Sequence, residues 1–253
     1  MYPSNIRAIN ASPETYVGKI LVYLKDPTGN ISCNIKNEAR YNPFCDDNSV
    51  WSKNNLGETV RTVINAGDPD IVKLELKLPN EQRKPITNDQ LKMLINEKCI
   101  WTANNTLFLK HEIKQGVISK WCEVFYGMRK ATKKKMLACF HKLHDTKLKL
   151  SNEEKTKLET DEENFNSMQL GIKAMINSIY GCMGTAFSPI ANPDIAQSIT
   201  RQGRFCNIST SNAIRKYFEE KYGIDKNYVI SISGDTDSFN HQTKIRIKQK
   251  LEA

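Results

Sequence analysis

Two long stretches of helical periodicity, separated by a short polar break, constrain this chain more than any other feature. From Gly116 onward, Val117, Ile118, Trp121, Val124, Phe125, Met128, Met136 and Phe140 recur mostly at intervals of three or four, the spacing of one face of an α-helix. This helix is expected to run to about His144. Ser151-Asn152-Glu153-Glu154 then matches the S-x-x-E capping box, in which serine and glutamate satisfy each other's backbone amides. Behind it, Phe165, Met168, Ile172, Met175, Ile176 and Ile179 mark a second long helix. Two helices joined by so short a turn pack as antiparallel neighbours.

The flanking segments read more simply. Pro3 to Asn10 suggests an opening turn and helix, Lys19 to Leu24 an apolar alternating strand, and Asp26-Pro27-Thr28-Gly29 a turn. The stretch to about residue 98 is polar, broken by Pro43, Gly57, Gly67, Pro69, Pro79 and Pro85, and carries no recognisable chemistry. Asn192-Pro193-Asp194 places a cap, a first-turn proline and an acid at the head of a third helix. That helix should end near Tyr222, where Gly223 stops it; Tyr228 to Ser233 is a short β-rich run leading to Gly234-Asp235-Thr236-Asp237.

Composition excludes several classes. With 39% hydrophobic and 26% charged residues, and no apolar run near the roughly 18 residues a membrane span needs, the chain reads as soluble, with no membrane partner. Met1-Tyr2-Pro3-Ser4 has no signal-peptide pattern, so a cytoplasmic location is expected, that of the host cell if the source is viral. Seven cysteines are scattered, odd in number and never form C-x-x-C, which argues against a zinc site or a disulfide framework and for buried thiols. A net charge of +9 favours an anionic partner without naming it.

Three constellations carry chemistry. Asp235 and Asp237 flank one threonine, and in an extended segment residues two apart share a face, so both carboxylates can serve one hard cation such as Mg²⁺. A plain turn, with aspartate bonding its own backbone, fits the same residues. Lys173, Asn177 and Tyr180 lie along one helical stripe, offering a cation to a phosphate, an amide to a nucleotide and an aromatic edge to a base pair. Arg129 and Lys133 are four apart, a like-charge pairing that costs a few tenths of a kcal/mol or so and that a triphosphate would relieve; a solvated basic face with Lys130, Lys134 and Lys135 is the alternative.

Taken as strings, these residues resemble the motifs of the family B DNA polymerases. Lys173-Ala174-Met175-Ile176-Asn177-Ser178-Ile179-Tyr180-Gly181 is similar to motif B, K-x-x-x-N-S-x-Y-G, at every specified position. Ser233-Gly234-Asp235-Thr236-Asp237-Ser238 resembles motif C, Y-G-D-T-D-S, with serine for tyrosine. Gly116-Val117-Ile118 through Arg129 and Lys133 looks like the first fingers helix, and Thr102-Ala103-Asn104 resembles a T-A-N-G lead-in with Asn105 for glycine. Tyr2-Pro3-Ser4, with Asn10, Ser12, Pro13, Glu14 and Thr15, looks like the end of motif A and its N-x-S-P-E-T continuation. Asp194 to Arg204 resembles the palm helix that follows motif B. The resemblance covers residues 2 to 15 and about 102 to 239, and is closest in character to the enzymes of tailed bacteriophages.

The resemblance implies an α+β fold: a palm of antiparallel sheet plus packing helix, and fingers of two long antiparallel helices, with exonuclease and thumb absent. Residues 1–110 would hold the palm start with a polar insertion, 111–185 the fingers, and 186–253 the palm with motif C and a divergent tail. It implies DNA-directed DNA polymerisation by two-metal nucleotidyl transfer in DNA replication. Asp235 and Asp237 would be catalytic and hold two Mg²⁺ ions with a third carboxylate outside this chain. Arg129, Lys133, Lys173 and Asn177 would hold the nucleotide, with Tyr2 as a steric gate against a ribose hydroxyl and Tyr180 beside it. Gly181, Thr236, Arg201 and Arg204 would face DNA. The implied partners are primer-template DNA, deoxynucleoside triphosphates, the remaining polymerase segments as a separate chain, and a sliding clamp. Two rival readings remain: half of a split polymerase or an inert fragment, lacking the motif A aspartate, and a basic primer-template binding module without chemistry.

Overall fold

A computed structural model describes residues 2–25, 29–33, 47–53, 59–65, 71–223, 229–235 and 238–243; within strands 47–53, 59–65, 229–235 and 238–243 the backbone pairing alone is described. The fold mixes helices with antiparallel sheet and divides into two compact units. One comprises residues 17–107 and 197–253, the other Tyr2–Tyr16 and Phe108–Ala196. Among the described residues no helix is long and apolar enough to cross a membrane.

The first unit is organised by strand β1 (Tyr16–Lys25). It pairs antiparallel with β5 (Ile71–Lys77) from Lys19↔Lys77 to Val22↔Leu74, with an irregularity between Tyr23 and Leu24. Strands β6 (Arg83–Ile86), β7 (Cys99–Trp101) and β8 (Thr106–Leu109) complete the order β6-β5-β1-β8-β7, and β2 (Ile31–Cys33) pairs with β1. The β1/β2 hairpin closes at Lys25↔Ile31, with Gly29 at φ +90°; Asp26, Pro27 and Thr28 of the turn read from sequence lie outside the described residues. Ile20, Leu21 and Val22 are all buried, so β1 is covered on both faces rather than half-buried in alternation. Ile20, Val22, Leu74, Leu91, Cys99 and Leu107 form the core of this unit.

The polar stretch upstream of residue 98 contains order that its prolines and glycines hid. Strands β3 (Asp47–Lys53) and β4 (Thr59–Asn65) form a hairpin of their own, from Asp47↔Asn65 to Lys53↔Thr59. In β5, Leu74 and Leu76 alternate with Lys73, Glu75 and Lys77, and Tyr23 Oη donates to Glu75 at 2.5 Å on the polar face. Helix α2 (Asn88–Met93) opens with a complete capping box between Thr87 and Gln90, and a π turn, Leu94–Lys98, continues it. Between β7 and β8, Asn105 stands at φ +63°, where the resembled motif has glycine; asparagine is among the residues that best tolerate this left-handed conformation.

Helix α5 (Pro193–Tyr222) starts and stops where its sequence signals lie: Ile195 N donates to Asn192 Oδ1 at 3.1 Å, and Gly223 follows the last turn at φ +59°. The second unit holds α1 (Tyr2–Ala8), a 3₁₀ turn at Pro13–Thr15, α3 (Val117–Leu143) and α4 (Asn152–Gly184). The Ser151 box caps α4, with Glu154 N donating to Ser151 Oγ at 3.3 Å and Ser151 N to Glu154 Oε2 at 2.9 Å. The expectation of buried thiols holds for Cys99 and Cys122 only: Cys33 and Cys139 are half-buried, while Cys182 and Cys206 are exposed because they fall on outward faces of α4 and α5. Cys45 lies outside the described residues.

Gly18 adopts φ +152°, and a Cβ there would approach Lys77 O and lie 2.9 Å from Leu76 Cδ1. Both the backbone conformation and the β1/β5 approach therefore require glycine. Gly18→Ala is expected to destabilise the first unit by about 2 kcal/mol, read as a lower denaturation midpoint at unchanged slope in urea.

Candidate functional site

The four amides that open a helix have no partner within it, and α3 meets that need from more than a hundred residues away. Gly116 N donates to Asn10 Oδ1 at 2.9 Å, Ile118 N to Ser12 Oγ at 3.2 Å, and Val117 N to Glu14 Oε1. Asn10 also donates through Nδ2 to Leu109 O and Lys114 O, at 2.8 and 2.7 Å. Its backbone is left-handed at φ +52°, and its side chain is fully buried. Ser12 Oγ donates to Glu14 Oε1 at 2.7 Å, and Thr15 Oγ1 to Asn10 O at 2.5 Å, so the N-x-S-P-E-T residues brace one another as well as α3. Gly116 admits the cap because a Cβ there would lie 2.7 Å from Ser12 Cβ. The sequence flagged Asn10, Ser12 and Glu14 as a motif without assigning them this role.

Helices α3 and α4 pack along a seam whose α3 side is Ile118, Cys122, Phe125, Arg129, Thr132 and Met136, at alternating steps of three and four. Of the apolar residues that signalled this helix, Trp121, Val124 and Met128 lie off the seam, 53%, 50% and 48% exposed. Three cross-helix contacts fix the register: Arg129 Nε to Gln169 Oε1 at 3.4 Å, Thr132 Oγ1 to Met168 Sδ at 3.9 Å, and Lys135 Nζ over the Phe165 ring at 5.7 Å. As one helix advances by three the other retreats, which is the antiparallel hairpin expected.

Arg129 thereby sits half-buried against α4, held by a glutamine that is itself 8% exposed and donates to Asn166 Oδ1 at 3.1 Å. Gln169, Lys173 and Asn177 follow at steps of four along one edge of α4. With a rise of 1.5 Å per residue, Lys133 stands about 6 Å from Arg129 toward the tip of the hairpin. Lys173 and Asn177 stand about 6 and 12 Å from Gln169 in the opposite direction. Lys133, Lys173 and Asn177 are exposed and Tyr180 is half-buried; Gly181 is exposed, with open space where a Cβ would point. Gln169 is the residue that sequence reasoning missed; its signal was a polar side chain at a position where the periodicity of α4 calls for an apolar one.

The remaining predicted residues lie elsewhere. Tyr2 opens α1. Arg201 and Arg204 are half-buried on α5, beside Gln202, whose Oε1 accepts from Ala103 N at 3.1 Å. Strand β9 (Val229–Asp235) pairs antiparallel with β10 (Ser238–Thr243), so that Asp235 faces Ser238 across the last pair of the hairpin. The sequence reading had no strand after Asp237. Thr236 and Asp237, between the paired positions, lie outside the described residues.

Burial pushes the Glu14 carboxyl up, but the hydrogen bonds from Val117 N and Ser12, with the charge of Lys114, outweigh it and hold the group below its ordinary 4.5. A carboxylate depressed by folding stabilises the fold above its unfolded value, and that contribution is lost as pH falls through the folded value. Stability is therefore expected to decline in acid below 4.5, and Glu14→Gln to flatten part of that decline, as measured by urea unfolding from about pH 7 to about pH 3.

Comparison with known proteins matches residues 72–252 to DNA polymerase family B. The DNA polymerase delta catalytic subunit of Drosophila melanogaster is 27% identical over 140 residues, which are 54% of this chain and 11% of that protein. The chain thus spans a small part of this relative. Because the family match runs without a break from β5 past β10, through α3, α4 and α5 and over more than half of the sequence, the protein belongs to DNA polymerase family B.

Proposed function

We propose that the chain is the nucleotide-binding and catalytic part of a DNA-directed DNA polymerase, adding deoxynucleotides to a primer on a DNA template. The observation that carries this reading is the polar edge of the α3/α4 hairpin. There Arg129, anchored by Gln169, lies one helical turn from Lys133 on α3 and, along α4, one turn from the level of Lys173. A half-buried arginine flanked one turn to either side by exposed lysines suits a triphosphate, to which an arginine fork binds in bidentate fashion. Asn177, the next residue on the same edge, would bond the nucleotide. In this reading residues 111–185 act as fingers, 1–110 and 186–253 as palm. Tyr2 would exclude a ribose hydroxyl, Tyr180 and Gly181 would border the nascent base pair, and Thr236, Arg201 and Arg204 would face the DNA strands.

Asp235 and Asp237 would hold Mg²⁺, for which two carboxylates are the right hard-oxygen donors. When bound, two such ions supply activation of the primer hydroxyl and charge neutralisation of the departing pyrophosphate. The chain's own cations would orient the triphosphate and take up charge that develops on it during transfer.

Binding of a fluorescent deoxyadenosine triphosphate to the 253-residue chain tests the reading. Arg129→Ala and Lys173→Ala are each expected to weaken binding about tenfold or more, as for loss of a charged hydrogen bond, with removal of the γ-phosphate having a similar effect. In primer extension with Mg²⁺, supplemented with the remaining polymerase segments, Asp235→Asn is expected to abolish synthesis. Binding unaffected by Arg129→Ala and Lys173→Ala would reject the reading, and nucleotide binding without extension would favour a non-catalytic piece.

A further inference from the structure

We infer that Asn10, Ser12 and Glu14 are positioning residues for the nucleotide: by holding the first turn of α3 they set the aim of the edge that carries Arg129 and Lys133. The inference rests on the nucleotide-binding reading above and adds residues that touch no substrate. Three consecutive amides at the head of α3, those of the N-cap Gly116 and of Val117 and Ile118, are each taken by a different side chain of the Asn10–Glu14 segment. None is taken by an N-cap side chain of the helix itself, since Gly116 has none. The direction of α3 is therefore set by a segment remote in sequence.

The mechanical consequence follows from length. Arg129 lies 12 residues beyond Val117, about 18 Å along the axis. A tilt of about 5° at the base displaces it by about 1.5 Å, and misplacements near 1 Å are enough to impair a binding or catalytic constellation. Helix α1 stiffens the same arrangement. Ile6 is fully buried, Arg7 lies over the Tyr126 ring at 5.6 Å, and His111 Nε2 lies 2.9 Å from Arg7 O, close enough for a hydrogen bond. Tyr2 begins α1, and the turn that ends in Ser12 and Glu14 follows directly, with Ala11 N donating to Ile6 O at 2.9 Å. One short segment thus links the residue read as the sugar gate to the base of the helix read as the triphosphate grip. Loss of the cap is expected to disturb sugar choice as well as affinity.

The test uses the full 253-residue chain and its Ser12→Ala, Glu14→Ala and Glu14→Gln variants, with dATP and ATP as probes. Amide exchange at residues 116–118 is expected to speed up in the two alanine variants, while the Ser151 end of α4 keeps its protection. Affinity for dATP should fall about fivefold, the loss expected for a removed cap, and the ratio of dATP to ATP affinity should fall with it. Glu14→Gln, which keeps an acceptor oxygen, should recover affinity to within about twofold. Ser12→Ala deletes a single oxygen and carries the test if Glu14→Ala does not fold. Faster exchange with unchanged dATP affinity and unchanged sugar ratio would overturn the inference and leave the nucleotide-binding reading intact. If the unaltered chain binds no dATP while its 116–118 amides are protected, the nucleotide-binding reading itself fails, and this inference falls with it.

Discussion

Amide groups at the head of a buried helix must find acceptors or the helix end frays, and in this chain the acceptors arrive from a segment a hundred residues earlier. Everything in the second unit depends on that satisfaction. Asn10 is the pivot: its left-handed backbone turns the chain, its amide nitrogen serves two carbonyls, and its oxygen takes the Gly116 amide. A donor pair and an acceptor on one short side chain that also tolerates positive φ describe asparagine and no other residue. The root of the α3/α4 hairpin is thus hydrogen-bonded as well as packed.

Along the hairpin, the apolar seam supplies most of the association, and the Arg129–Gln169 rung, with the Thr132–Met168 and Lys135–Phe165 contacts, sets the register. Arg129 and Gln169 occupy positions where the heptad-like spacing calls for apolar side chains. A polar contact in a largely apolar seam lowers stability but penalises slippage, because a shifted pairing would leave buried polar groups without partners. The same rung fixes which residues of α4 stand level with the cations of α3. Packing register and the geometry of the proposed triphosphate edge are thus a single property of the hairpin.

Much of this was legible from local chemistry. The Ser151 box, the Asn192-Pro193 start of α5 and the Gly223 stop are signals in which a residue and its neighbours decide the outcome, and the helices begin and end there. Helical spacing identified α3 correctly, yet Trp121, Val124 and Met128 turned outward while Arg129 turned in, because period alone does not say which of two adjacent stripes is the seam. Strands β3 to β5 escaped notice for another reason. Flanking prolines and glycines, Pro69 and Pro79 among them, read as interruptions, although between them Leu74 and Leu76 alternate with charges as a strand should. The cap on α3 lay beyond sequence reasoning altogether, since a hydrogen bond between residues 10 and 116 leaves no local pattern.

The role of Asn10 also exposes the protein to a slow chemical hazard. Hydrolysis of its side-chain amide, the ordinary ageing reaction of asparagine, would replace a two-proton donor with a carboxylate. That new charge would face the carbonyl oxygens of Leu109 and Lys114, both of which now accept from Asn10 Nδ2. Attraction would become repulsion inside a site with no exposure to water. One atom-scale lesion, at a residue that touches no nucleotide in the proposed reading, would loosen the root of the α3/α4 hairpin.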